Sequence, residues 1–278
     1  MPLWSSDVFE EISFHQLTFE NMVHEYLLIS LLAFALAILT FFSGFGLGTL
    51  LAPGLMLFFP VEQSIALTAV VHLLNNLYKF SLLRLEIDRG VFLRFGLPAI
   101  AASFAGAWAL IRLSDLTQPI PYSLAGIELE TQPLKIGMGL LLLIFALMEL
   151  LPALQNLRFG KGWLSLGGLL SGFFGGLSGH QGALRAAFLS KAGLSKEAFV
   201  ATGVAVSLLI DLSRLSLYAG RMKDLQEAWL LMLLCTAAAL AGSLMGFSLL
   251  KKTSLPLVKS LLGSLLLLMA VALGMGLI

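Results

Sequence analysis

The chain has 278 residues, 58% of them hydrophobic and 12% charged, with a net charge of +1 and a mean hydropathy of +0.94. Soluble domains carry about 25% charged residues, so this chain has too little polar surface to cover a globule of its size in water, and lipid must be the solvent for much of it. The near-neutral balance gives no field to attract nucleic acid, and a lone cysteine, Cys235, excludes an intramolecular disulfide and any multi-cysteine metal site.

A spanning helix needs roughly 20 apolar residues, so the composition predicts an all-α polytopic membrane protein of about eight to ten segments. Residues 1–24 carry Asp7, Glu10, Glu11 and Glu20 with no Lys or Arg, unlike the start of a signal peptide. Trp4, Val8, Phe9, Ile12, Phe14 and Leu17 are spaced to allow a short helix on the membrane surface. Apolar runs follow at 26–42, then at 43–59 (Gly-rich and interrupted by Pro53), 61–83, 93–113 and 133–151. After residues 156–161 the pattern restarts with runs at 163–177, 182–189, 197–219, 229–250 and 257–278.

The restart reads as a repeat. Ser43-Gly44-Phe45-Gly46-Leu47-Gly48 is echoed by Ser171-Gly172-Phe173-Phe174-Gly175-Gly176, and Glu62 to Thr68 by Lys196 to Thr202. Two membrane repeats are expected, at 25–156 and 157–278. Lys and Arg in short loops mark the cytoplasmic side. Loop 84–94 has Arg84, Arg89 and Arg94, loop 155–162 has Arg158 and Lys161, and loop 114–132 has neither residue type. The first two are therefore placed inside and the third outside, which puts five segments in each half and makes the repeats inverted, a recurrent design of secondary transporters. Lys251 and Lys252 then fall inside, whereas Arg221 and Lys223 fall outside, against the rule.

Breaks in membrane helices are tolerated where they line a protein-enclosed cavity. Gly44, Gly46, Gly48 and Pro53-Gly54 form one candidate break, and Gly172, Gly175, Gly176, Gly179 and Gly182 form another. Helix N-termini there would present free N–H groups to an anion; close helix packing through small residues is the alternative. Within Ser178–Arg185, His180, Gln181 and Arg185 lie between apolar runs. The guanidinium suits an oxyanion, and His180 can carry a proton; a basic interfacial turn with Arg185 snorkelling to lipid is the other reading. His72, Asn75, Asn76 and Lys79 share one helical face, which must look at protein or water, either as part of a site or as interhelical glue. Thr202, Ser207, Asp211 and Arg214 form the matching stripe. Asp211 and Arg214 are three apart and pair within one helix, unless Asp211, like His72 and His180, carries a coupled proton. Glu149 and Trp4, Trp108, Trp163 and Trp229 read as interfacial. No serine elbow, phosphate-binding loop or zinc motif occurs, so neither an enzyme nor a cofactor is expected.

The run from Gly44 to Pro53, its echo from Ser171 to Arg185, and the helices opening near Glu62 and Glu197 resemble the TauE/SafE sulfite exporters, also called toluene-sulfonate uptake permeases, over residues 26–278. The resemblance implies a bacterial inner-membrane, multi-pass transporter of two homologous halves moving sulfite, sulfonates or sulfoacetate-like anions, in the export direction by its family name. The chain departs from the family pattern at Gly46-Leu47-Gly48-Thr49 and at Ser178-Gly179-His180-Gln181, and specificity is expected there. The expected partners are thus a small anion and the lipid bilayer, with no nucleic acid and a homodimer left open. The expected substrate contacts are Arg185, His180, Gln181 and Gly179 from one half with His72, Asn75, Thr49 and Gly48 from the other. A channel, a carrier of another anion, or a membrane partner protein without transport are the alternatives.

Overall fold

A computed structural model describes residues 23–39, 47–116, 118–124, 126–155, 159–218, 229–249 and 255–278. Outside these residues lie the surface helix expected near the N-terminus, Gly44 and Gly46, and the loop cations Arg158, Arg221, Lys223, Lys251 and Lys252.

In chain order the described helices are α1 (Val23–Leu39), α2 (Gly48–Leu55), α3 (Val61–Leu83), α4 (Arg89–Ser114), α5 (Pro133–Leu150) and the short α6 (Pro152–Gln155). They continue with α7 (Leu164–Ser178), α8 (Gly182–Leu189), α9 (Lys196–Tyr218), α10 (Trp229–Leu249) and α11 (Leu255–Gly274). The chain is an all-α polytopic membrane protein. Four helices, α4, α5, α9 and α10, are long and apolar enough to cross a bilayer on composition alone. At 1.5 Å per residue, the 23 residues of α3 reach about 35 Å, also enough to cross. Its polar stripe lowers its hydropathy and turns it toward the protein interior. Outward faces carry leucines, isoleucines and tryptophans, such as Leu97, Trp108, Leu140, Ile144 and Leu268, as a lipid solvent requires.

Element ends follow local chemistry. Asp88 caps α4, its Oδ1 accepting from the Val91 N–H at 2.8 Å. Pro133 opens α5, where its missing N–H costs nothing. Gly179, at φ +81°, ends α7 in the left-handed conformation that favours glycine. Pro53 and Gly54 do not interrupt the second apolar run as expected: they lie inside α2, which ends at Leu55. A proline at the sixth position of an eight-residue helix deletes one hydrogen bond, to the Thr49 carbonyl, without stopping the helix.

The glycines serve close approach. Gly168, Gly172 and Gly176 of α7 face the Phe95, Ala99 and Ser103 carbonyls of α4, where an added Cβ would lie 2.1–2.2 Å from each oxygen. Gly106 of α4 meets the Phe173 carbonyl in the same way, at 2.0 Å. Such seams allow Cα–H···O contacts of about 0.5–1 kcal/mol each. Gly242 of α10 lies against the Phe34 carbonyl of α1, and Gly139 of α5 against Ala270 of α11.

The two ends of the bundle differ. At one, Ser165 donates to the Arg94 carbonyl at 3.3 Å, and Lys161 Nζ would lie 3.2 Å from a Cβ at Gly193, so the cationic loops gather together. At the other, residues 114–132, which showed no element in the sequence, fold into an antiparallel hairpin, Ile120–Leu124 with Ile127–Thr131. The hairpin clasps the end of α11, where Tyr122 donates to the Met275 carbonyl and Thr131 to that of Gly274, at 2.7 and 3.2 Å.

Candidate functional site

α3 and α9 run side by side through the interior, with the short helices α2 and α8 beside them. Across the α3–α9 contact, His72 Nδ1 lies 2.7 Å from Asp211 Oδ2. Arg214 donates through Nε and Nη2 to Asp211 Oδ1 at 3.0 and 2.7 Å. All three residues are buried. The Asp211–Arg214 pairing expected within one helix therefore forms, and His72 joins it from the other half of the sequence. Asn76 Nδ2 lies 3.1 Å from His72 Nε2. An Nδ1–H donated to Asp211 and an Nε2 lone pair accepting from Asn76 account for both contacts with a neutral imidazole. The other nitrogen of the Arg214 fork, Nη1, has no hydrogen-bond partner among the described residues and points at Gly179, where a Cβ would sit 2.8 Å from it.

The helix breaks meet at this triad. A Cβ on Gly48, the first residue of α2, would lie 3.4 Å from the Gly179 carbonyl and 3.6 Å from the His72 ring. Gly48, His72, Gly179 and Arg214 thus share one neighbourhood. His180 is next in the chain. Its ring stacks on Phe145 of α5 at 5.6 Å and 21°, the Thr49 backbone lies beside it, and its Nδ1 is 3.1 Å from both the Ser178 carbonyl and Ser178 Oγ. Among the described residues its Nε2 has no hydrogen-bond partner, and neither has Gln181 Nε2 or Thr68 Oγ1, all of them buried.

Arg185 is buried one turn into α8. Its Nη1 donates to Gln181 Oε1 at 3.3 Å and to Ser207 Oγ on α9, and its stem lies over Gly203. Both polar partners are neutral, and among the described residues no carboxylate pairs with it. Lys79 of α3, half-buried, lies within electrostatic range of Arg185. Asp211 is bonded to Arg214 and acts on Arg185 only at electrostatic range, so among the described residues Arg185 has no bonded counter-ion. An unpaired interior cation is costly in a membrane protein and is relieved by an anion.

The structure therefore brings together Gly48, Thr49, His72, Gly179, His180 and Asp211, with Gln181 and Arg185 one turn further on. Asn75 turns elsewhere and accepts from Ser243 of α10 at 3.1 Å. Glu149 is buried, not interfacial: it lies inside the α5–α11 contact, against Gly263. Trp108, Trp163 and Trp229 are exposed on the bundle's outer face, and Trp4 lies outside the described residues. Sequence reasoning missed Phe145, Ser243 and Tyr218, whose hydroxyl donates to the Gly176 carbonyl at 2.9 Å. Thr68 had a usable signal, standing one turn before His72 on the same face. Phe145, an apolar residue among apolar residues, had none.

A family model described as sulfite exporter TauE/SafE matches residues 29–273. No curated protein and no solved structure matches the chain. The chain belongs to the TauE/SafE family, and this makes it an integral membrane protein of a transporter class for sulfite or related anions, not of an enzyme class.

Proposed function

We propose that this protein is a secondary transporter that carries a small sulfur oxyanion, sulfite or a sulfonate, across the bacterial cytoplasmic membrane by alternating access. The observation that carries the reading is Arg185: buried, bonded among the described residues only to neutral Gln181 and Ser207, and lying beside Gln181 Nε2, which has no partner among them. A fork of N–H donors with no carboxylate opposite it is suited to an oxyanion. The free N–H groups of Gly182, Ala183 and Leu184 at the start of α8 add to the same potential.

The substrate lies where the breaks converge, with Arg185, Gln181, His180 and Gly179 from residues 157–278 and Thr49, Gly48 and His72 from residues 25–156. Helix order and length support reading these stretches as inverted repeats: α2 and α8 each have eight residues, and α3 and α9 each have 23. The gathered loop cations mark one end of the bundle as cytoplasmic.

The test is uptake of labelled sulfite and a small sulfonate panel into proteoliposomes. A charged hydrogen bond is worth about 1.5–3 kcal/mol, so Arg185→Ala should lower flux at sub-saturating substrate by roughly 10- to 100-fold. Wild-type flux in folded Arg185→Ala protein would remove the centre of this reading.

A further inference from the structure

The residues able to carry a proton in the interior are not equivalent. His72 and Asp211 are held in the triad with Arg214, each with its partners in place. His180 is different. The Ser178 carbonyl at its Nδ1 can only accept. Ser178 Oγ has one proton, donated to the Phe174 carbonyl at 3.0 Å, so toward His180 it also accepts, from the backbone N–H at 3.3 Å and from Nδ1 at 3.1 Å. Both neighbours therefore require the ring proton on Nδ1. In the neutral ring Nε2 is then a lone pair, buried and without a hydrogen-bond donor among the described residues, with Arg214 within electrostatic range.

A lone pair at the edge of an anion site repels the anion, and a proton on Nε2 reverses the sign. An acceptor is in place for that proton. The Thr49 backbone lies beside the His180 ring, within hydrogen-bonding reach of it. The protonated ring would donate to Ser178 at the end of α7 and to Thr49 in α2, joining the two breaks.

We infer that His180 Nε2 is the proton-coupling site: it takes up one proton as the anion binds and gives it up as the anion leaves, so the two move in the same direction. This rests on the transport reading above. The step balances: a proton from water adds to the Nε2 lone pair, the imidazolium offsets one anionic charge, and the neutral ring returns on release. For a monoanion the cycle is electroneutral. An inward proton gradient then drives uptake, and export proceeds when the anion's own outward gradient exceeds it. The other charged or titratable groups around this ring are Arg214 and Asp211 of α9 with His72 of α3, mutually paired, Arg185 of α8 with Lys79 near it, and Glu149 of α5, one turn beyond Phe145.

The experiment uses the full chain in proteoliposomes with a pH-sensitive dye inside and a labelled small sulfonate outside, an anion that stays deprotonated at every pH used. An external pH one unit below the internal should raise wild-type accumulation about tenfold over equal pH, and the interior should acidify as sulfonate enters. In His180→Gln, whose amide takes no proton, the ratio should fall to about one, whatever its absolute rate. If His180→Gln does not fold, His180→Asn, which likewise takes no proton, is read in the same assay with the same expected ratio of about one. Flux without acidification, or an unchanged ratio in His180→Gln, overturns the coupling and leaves the transport reading standing. No sulfonate or sulfite flux by folded wild-type protein overturns both.

Discussion

The stretch from α1 to α3 and the stretch from α7 to α9 have the same architecture and different chemistry. Each has a Gly-rich sequence, an eight-residue helix and a 23-residue helix. In the first, α2 has no ionisable residue, and α3 supplies His72, Asn75 and Asn76. In the second, the break itself holds His180 and Gln181, α8 holds Arg185, and α9 holds Asp211 and Arg214. The echoed threonines have already diverged: Thr202 accepts from the Asp88 N–H at 3.1 Å, while Thr68 Oγ1 is buried with no partner among the described residues. Backbone shape is common to the two stretches because breaks and close approach depend on glycine and proline. Charge is concentrated in one, because a second buried arginine cluster would need its own counter-charges.

The strongest way to break this comparison is to remove the bond that ties the stretches together. Asp211→Asn leaves Arg214 and His72 facing an amide in the interior. Breaking a buried ion pair from one side costs about 3–5 kcal/mol, so the thermal midpoint in detergent should fall by more than for any other single substitution considered. The double variant Asp211→Leu with Arg214→Leu removes both charges and should recover much of that loss. If Asp211→Asn melts with the wild type, the triad does not hold α3 to α9.

A smaller effect distinguishes the second break. Gly179 has φ +81°, and a Cβ there would press on Arg214 Nη1 at 2.8 Å. The left-handed conformation costs a side-chain-bearing residue about 1–2 kcal/mol, and displacing the arginine adds to it. Gly179→Ala should therefore lower stability by about 1–3 kcal/mol, read as a shift in the same thermal midpoint, and should disturb the Asp211 fork. An unchanged midpoint would mean that the break tolerates a side chain and that its glycine is incidental.

The fold was largely legible because its signals are compositional. Each apolar run corresponds to a described helix, and α8 appeared as a short run at 182–189, whereas α2 occupies only Gly48–Leu55 of the run at 43–59. The polar stripes on α3 and α9 pointed inward because lipid excludes them. The hairpin at 120–131 was not legible: its alternation is short and weak, and it is held by Tyr122 and Thr131 bonding to α11, more than 140 residues away. Pro53 was misread as a break because local rules cannot tell a proline that ends a helix from one that deletes a single bond within it. In the site, the one-helix pairing of Asp211 with Arg214 could be read from spacing. The partnership of His72 with Asp211, 139 residues apart, could not, nor could the Phe145–His180 stack, since one sequence does not say which helices become neighbours.

The smallest expected effect is the sharpest test of whether the first stretch lines the path at all. Gly48 is helical, and the nearest neighbours of a methyl group there would be the Gly179 carbonyl at 3.4 Å and the His72 ring at 3.6 Å, both ordinary contacts. Ala is the better helix former by about 0.5–1 kcal/mol, which offsets any tightness, so Gly48→Ala should leave the thermal midpoint unchanged within about 0.5 kcal/mol. The same methyl would stand in the gap between the two breaks. If the anion passes there, flux should fall several-fold at constant stability, a combination that a packing defect does not produce. If flux and midpoint both stay at wild-type values, the anion does not pass between Gly48 and Gly179. The site would then belong to α8 and α9 around Arg185, with the first stretch serving only as the wall that carries His72.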